Sequence, residues 1–261
     1  MRALCVTRQG DPVTPNVELM DLPEPLAGAG DLLVATEASA LNHLDLWVGR
    51  GLPGVDTAYP HIGGSDGCGR VVGVGQGVNE AWIGRRVIFN LAVEIPHVPS
   101  PESRPSGREI YMIGEHTPGT HAERFVAPAA NAIDVGDSTD PIQAAAYGLT
   151  HLTAWGMLCT KARLRCGDTV LITGIGGGVA LAALNIAMHF GCRTIVTSRH
   201  QKKLDRALEM GAADAVLDEG EDWSRTVRDL TGRRGVDICA DSIGAAVHTS
   251  CIKSLARSGR F

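Results

Sequence analysis

Val170-Leu-Ile-Thr-Gly174-Ile-Gly176-Gly177-Gly178-Val-Ala180 reads as a buried strand that runs through a cluster of glycines into an apolar helix. Glycines at such a junction let the backbone turn sharply and approach a pyrophosphate, which the free N–H groups and dipole of the helix start then hold. The spacing departs from G-x-G-x-x-G. Counted from Gly174 the last place falls on Val179, whereas a spacing of three gives Gly174, Gly177 and Ala180. A turn that only packs a strand against a helix would use the same residues, so the surrounding pattern has to decide between the two.

That pattern alternates. Strand-like segments at 169–173, 193–197, 215–217 and 236–240 are interleaved with helix-like segments at 179–190, 202–210, 223–230 and 246–256, after an Ala-rich helical stretch at 141–162. Strands and helices alternating over short connections mean βαβ units and a parallel sheet. In that context the glycine run is expected to bind a dinucleotide through Gly174, Gly176, Gly177, Gly178 and Val179. Residues 258–261 read as the start of another strand, so an incomplete parallel sheet is expected.

Upstream, short strands at 2–7, 17–21, 32–40, 70–74, 86–89 and 122–126 are broken by Gly and Pro, which suits a barrel-like β domain. Segment 94–108, with four Pro and three Ser among fifteen residues, is expected to be an exposed lobe. The chain is therefore read as an α/β protein of two domains, 1–130 and a doubly wound Rossmann domain at 131–261.

Composition excludes several classes of function. A net charge of −5 with interspersed signs leaves no basic stripe to track a phosphate backbone, so nucleic acid is not expected as a partner. No run approaches the roughly 18 apolar residues of a membrane span, and residues 1–10 lack the apolar core of a signal peptide. Seven cysteines, none in a C-x-x-C pair, suit free thiols in a reducing cytoplasm.

The end of the second Rossmann strand, Ile195-Val-Thr-Ser198-Arg199-His-Gln-Lys202-Lys203, carries no acid. An Asp or Glu there would accept from both ribose hydroxyls of NAD, whereas a hydroxyl beside cations suits the 2′-phosphate of NADP. Ser198, Arg199 and Lys202 are thus expected to select NADPH over NADH. A solvated helix start would look the same.

The whole chain resembles the medium-chain dehydrogenase/reductase superfamily, in particular its quinone oxidoreductase-like and zinc-binding alcohol dehydrogenase-like branch. The resemblance rests on Ala40-Leu-Asn42-His43-Leu-Asp45-Leu-Trp47, Gly63-Gly64-Ser65-Asp66-Gly67-Cys68-Gly69-Arg-Val-Val-Gly73-Val-Gly75, Gly114-Glu115-His116, Gly119-Thr-His-Ala122-Glu123, Leu152-Thr153-Ala154-Trp155, the glycine loop, and Lys203-Leu-Asp-Arg-Ala-Leu-Glu-Met-Gly211-Ala-Ala-Asp214. It implies a GroES-like catalytic domain followed by a Rossmann domain, with the active site in the cleft between them. The Cys, His and Cys that hold catalytic zinc in alcohol dehydrogenases match Asn42, Ser65 and Leu149 here, and segment 94–108 lacks the cysteines of the structural zinc lobe. No zinc is therefore expected.

By the same resemblance Asn42 would face the substrate, Thr153 would lie near the nicotinamide, and His43 near the pyrophosphate. Asp241 and Gly244 would sit at the cofactor's edge, and Asp45 would be catalytic or structural. The function implied is an NADPH-dependent oxidoreductase that passes hydride to a small electrophile, a quinone or an activated alkene, without zinc. The alternatives are a non-catalytic NADPH-binding module and a zinc-free carbonyl or alcohol oxidoreductase. Family members continue past the point reached at Phe261, so the chain reads as C-terminally truncated. The longer form is expected to be a homodimer or tetramer.

Overall fold

Leu32 and Val34 are buried while Leu33 and Ala35 between and after them are half-exposed, the period of two that a strand with one covered face requires. The computed structural model describes residues 1–95 and 110–261, which divide into Met1–Leu149 and Thr150–Phe261. In the first unit come β1 (Arg2–Val6), β2 (Val17–Asp21), β3 (Asp31–Ala40), α1 (His43–Arg50), β4 (His61–Ile62), β5 (Asp66–Val74), β6 (Arg86–Phe89), β7 (Ala92–Glu94), β8 (Ile110–Met112), β9 (Arg124–Pro128), β10 (Ala132–Asp134) and α2 (Pro141–Ala145).

These strands form a β2-β1-β4 sheet, a five-stranded sheet ordered β10-β6-β5-β3-β9, and the β7-β8 pair, with every pairing antiparallel. Leu32, Val34, Val71, Val87, Phe89 and Phe125 pack together as the core, with the two phenylalanine rings 5.2 Å apart. Gly69 is obligatory where β5 crosses β3, because a Cβ there would lie 2.1 Å from the Ala35 carbonyl oxygen. All six strands expected in this half are present, while β4, β7, β8 and β10 are too short for a periodic pattern to show them. The expected lobe at 94–108 lies outside the described residues, apart from Glu94 and Ile95; Glu94 pairs with Ile110.

The division falls at Leu149/Thr150, later than the 130/131 boundary read from the sequence. Residues past 130 stay with the first unit because β10 extends its sheet along β6, and because Ala144 and Ala145 of α2 close over Cys68 and Ile88.

Helix α3 (Gly148–Trp155) contains the division. The second unit continues with β11 (Thr169–Ile172), α4 (Gly178–His189), β12 (Arg193–Ser198), α5 (Gln201–Glu209), β13 (Asp214–Leu217), α6 (Ser224–Leu230), β14 (Val236–Ala240), α7 (His248–Ser254) and β15 (Leu255–Arg260). Its five strands are parallel throughout and ordered β13-β12-β11-β14-β15. This is the doubly wound order, with its switch point between β11 and β14. Val170 and Ile172 face the cluster built on α4, whereas Leu171 between them faces Trp223, Val227, Val247 and Cys251. Both faces of the sheet are covered, which is why β11 reads as an unbroken apolar run.

The helix expected at 246–256 ends at Ser254, and Leu255 turns extended (φ −66°, ψ 143°) to begin β15. Arg228 is the cause that pattern reading missed: its Nη1 donates to the carbonyls of Lys253 and Leu255, each at 3.0 Å, and so ties off the helix end. Among the described residues no helix is long and apolar enough to cross a membrane.

Ala180, Ala182, Ala183, Leu184 and Ala187 bury one side of α4, and Leu184 is the largest of them. Leu184→Ala is expected to cost roughly 2–5 kcal/mol, the range for a buried leucine whose cavity cannot fully collapse. Urea unfolding followed by far-UV circular dichroism measures it, and a loss below about 1 kcal/mol would contradict this packing.

Candidate functional site

Two clusters hold most of the residues singled out from the sequence, one in each unit. In the first, Asn42 precedes α1 with an extended backbone (φ −128°, ψ 160°), and its N–H donates to Asp45 Oδ2 at 2.7 Å, so the helix start holds the Asp45 carboxylate in place. Asp45 Oδ1 accepts from the Gly64 N–H at 2.9 Å and lies 3.6 Å from His121 Nε2. The other ring nitrogen of His121, Nδ1, is hydrogen-bonded to Ser39 Oγ.

Asn42 turns its side chain the other way. Its Nδ2 donates to Asp66 Oδ2 at 2.9 Å and makes a long contact of 3.4 Å with Ser65 Oγ. Asp66 Oδ1 accepts from the Leu149 N–H at 2.7 Å, and its backbone carbonyl accepts from Thr120 Oγ1 at 2.7 Å. Asn42, Ser65 and Leu149, distant in sequence, thus meet around one buried carboxylate.

They offer an amide already committed to Asp66, a hydroxyl, and an aliphatic side chain with no donor atom. That set does not fit a tetrahedral zinc. Among the described residues no three His, Cys, Asp or Glu side chains gather as metal ligands.

The two carboxylates are pushed in opposite directions. Burial opposes the charge on Asp45, but the His121 ring and the N–H groups of Asn42 and Gly64 outweigh it and hold its pKa below the usual value. Burial raises the pKa of Asp66. Its bonds from Asn42 and Leu149 only partly offset that rise, and the Asp45 charge adds to it.

In the second unit the glycine run does three different things. Gly174 and Gly176 adopt φ +64° and +106°, conformations that favour glycine, and a Cβ on Gly176 would meet Lys203 Cδ at 2.6 Å. Gly178 packs against Thr150, whose Cγ2 would lie 2.7 Å from an added Cβ. Gly177 differs from both. Its φ of −83° and ψ of 153° suit any residue, and a Cβ would find only the Gly174 carbonyl oxygen, at 3.7 Å. No side chain caps α4, whose first turn, with Val179, presents its N–H groups beside this open side. These residues fit a pyrophosphate, because the loop leaves backbone donors uncovered where a ligand can approach.

Ser198 is buried at the end of β12 and its Oγ accepts from the His200 N–H at 3.2 Å, while Arg199 and Lys202 are exposed. Lys203, in the same basic run, lays its stem over Gly176. Asp241 is already engaged: Oδ1 accepts from Thr173 Oγ1 and the Ile243 N–H, and Oδ2 from the Gly244 N–H at 2.9 Å. Its carboxylate therefore joins the end of β11 to the turn after β14. Gly244 in that turn has φ +88° and open space beside it. His43 is exposed on α1 with its ring 6.3 Å from Trp47, and Thr153 is exposed on α3.

Asp66, Ser39, Thr120 and His121 join the first cluster without having been singled out as site residues. An acid among the glycines and cysteine of 63–69 was the available signal for Asp66. Nothing local marks His121, which meets Asp45 only through the tertiary fold.

Because the folded pKa of Asp45 lies below its ordinary value, its carboxylate contributes stability above that value and loses it as pH falls through the folded one. Asp45→Ala also strips two backbone N–H groups of their acceptor. A loss of roughly 1–3 kcal/mol is expected at neutral pH. In denaturant titrations the gap between parent and variant should narrow below about pH 4; a gap independent of pH would contradict the assignment.

A sequence profile described as "Alcohol dehydrogenase GroES-like domain" matches residues 28–137, and one described as "Zinc-binding dehydrogenase" matches 178–261. Zinc-type alcohol dehydrogenase-like protein YogA of Leptosphaeria maculans is 31% identical over 268 residues, spanning 96% of this chain and 73% of that protein. The crystal structure of an NAD-dependent alcohol dehydrogenase superposes with a TM-score of 0.90 at 37% identity, over 100% of this chain and 76% of the other. Mycobacterial Rv1454c complexed with NADPH superposes with a TM-score of 0.80 at 31% identity, over 99% and 72% of the two chains.

Proposed function

The chain belongs to the medium-chain dehydrogenase/reductase family, and from that premise we propose that it is an NADPH-dependent reductase of quinones or activated alkenes that works without catalytic zinc. The observation that carries this reading is the open side of Gly177 next to the uncapped start of α4. A turn built only for packing has no use for a glycine whose backbone suits any residue and whose Cβ would touch nothing closely. A pyrophosphate approaching the backbone does.

When bound, the nicotinamide would supply the hydride. The chain's part is to hold, orient and polarise. The first turn of α4 would hold the pyrophosphate, with Lys203 stretched over Gly176. Ser198 and Arg199, with Lys202 close by, would take the 2′-phosphate. One neighbour in structure is by name NAD-dependent, so the reading of NADPH rests on this strand end, where a cationic side chain stands in place of a carboxylate. Asp241 would act by keeping the Gly244 turn in shape, and Thr153 would line the ring's side.

Asn42 is the residue proposed to face the substrate. One N–H is fixed on Asp66, and the other makes only the long contact with Ser65, which it would exchange for an oxygen that gains negative charge. Asn42, Ser65 and Leu149 do not make up a zinc site, which favours an acceptor that is electron-poor already. Quinones and alkenes conjugated to a carbonyl meet that description better than simple ketones do.

Gly177→Val should abolish NADPH binding while leaving far-UV circular dichroism and the thermal midpoint near the parent's, because the protein itself has room for the side chain. Normal binding by the variant would count against the site. Arg199→Ala should weaken NADPH by roughly 1.5–3 kcal/mol and leave NADH almost unchanged; equal affinity of the parent for both cofactors would refute the 2′-phosphate reading. Elemental analysis should find no stoichiometric zinc, and one chelator-resistant zinc per chain would overturn that part. NADPH oxidation with a simple quinone or enone tests the reaction itself. Binding without turnover would make the chain a cofactor-binding module, and turnover confined to ketones and aldehydes a carbonyl reductase.

A further inference from the structure

A hydride added to an enone leaves an electron pair on the carbonyl oxygen, and a proton has to reach that oxygen. Asn42 can hydrogen-bond the charge but has no proton to give. A second set of residues in the first unit does, and it remains unused by the reading above, on which this inference rests.

Ser39 is exposed at the end of β3, and its Oγ is hydrogen-bonded to His121 Nδ1. The His121 side chain is only 10% exposed, and its Nε2 is buried with no hydrogen-bond partner among the described residues; the charge it faces is Asp45 Oδ1, 3.6 Å away. Asp45 is in turn fixed by the N–H groups of Asn42 and Gly64. A reachable hydroxyl, an enclosed imidazole and an enclosed carboxylate therefore stand in line, and the carboxylate is bonded to the backbone of the residue proposed to face the substrate. A brace between β3 and the segment before β9 would need no carboxylate behind the ring.

We propose that Ser39, His121 and Asp45 form a proton relay, with Ser39 the group that touches the substrate oxygen and His121 and Asp45 positioning residues behind it. In the protonated ring, Nδ1–H donates to Ser39 Oγ and Nε2–H faces the Asp45 carboxylate at 3.6 Å, a charge contact and not a hydrogen bond. With the hydride and its electron pair coming from a bound reduced nicotinamide, a C–H bond would form at the β-carbon and the alkene electrons would move to the carbonyl oxygen. The Ser39 O–H bond breaks as the enol O–H bond forms. His121 Nδ1–H returns a proton to Ser39 Oγ, and water restores the proton to the neutral ring. The arrangement has the logic of a serine–histidine–aspartate triad run as an acid instead of a base.

The test uses Ser39→Ala, His121→Asn and Ser39→Thr in the full chain, with two readouts. Reduction of a cyclic enone should show kcat lowered roughly a hundredfold or more in Ser39→Ala and His121→Asn, with NADPH affinity unchanged, and recovery in Ser39→Thr, which keeps the hydroxyl. Binding of 4-nitrophenolate, followed without cofactor by its absorbance shift, mimics the charged oxygen; it should weaken at least about tenfold in the first two variants and stay near parental in the third. Should His121→Asn fail to fold, Ser39→Ala against Ser39→Thr decides alone. A parent that leaves nitrophenolate unbound, or variants equal to the parent in both readouts, would overturn the relay. A parent that reduces neither enone nor quinone, yet binds nitrophenolate through Ser39 and His121, would overturn the proposed function and support the relay.

Discussion

Enclosing the carboxylate of Asp45 is the constraint on which the first unit's polar cluster depends. A buried charge is tolerated only where donors surround it. Here two donors come from the start of α1, through the Asn42 N–H, and from the Gly63–Gly64 turn, through the Gly64 N–H, and the segment before β9 adds the His121 ring 3.6 Å away. Satisfying one side chain therefore sets the positions of Asn42, Ser65 and Ser39 as well. Gly64 is shaped to the same end, with φ +98° and no room for a Cβ beside Thr120 and His121.

Asp66 lies one layer further in. It draws together the Asn42 amide and the Leu149 backbone, both of which donate to it, while Ser65 beside it only accepts the long contact from Asn42. Each acid accepts from two donors, and the two differ in sign of shift because Asp45 also has the His121 ring beside it, whereas Asp66 has stronger burial and its neighbour's negative charge.

The second unit obeys a packing constraint. β11 is covered on both faces, so its side chains alternate between two separate apolar clusters and its C-terminal end opens into a polar turn. That turn is the glycine loop at the switch point of the sheet, where Asp241 ties the neighbouring turn to Thr173. The alanines of α4 let the helix lie close to the sheet, which brings its uncapped N-terminus to the strand end.

The sequence by itself determined the doubly wound half, because periodic burial is a local property: a strand covered on both faces has to be apolar throughout, and an amphipathic helix has to repeat near every third or fourth residue. It also determined the glycine loop, and it put neither thiolate nor imidazole at Asn42, Ser65 and Leu149, since residue type alone decides which donor atoms a position can offer. Which glycine is free for a ligand was not legible; Gly176, Gly177 and Gly178 look alike until Lys203 and Thr150 are seen to fill the space beside two of them. The end of α7 depended on Arg228 from a different helix, and the place of β10 and α2 in the first unit on partners in β5 and β6. The pairing of His121 with Asp45 and Ser39 was decided only by tertiary structure, because side chains far apart in sequence carry no mark of their contact until the strands and turns that bear them have packed.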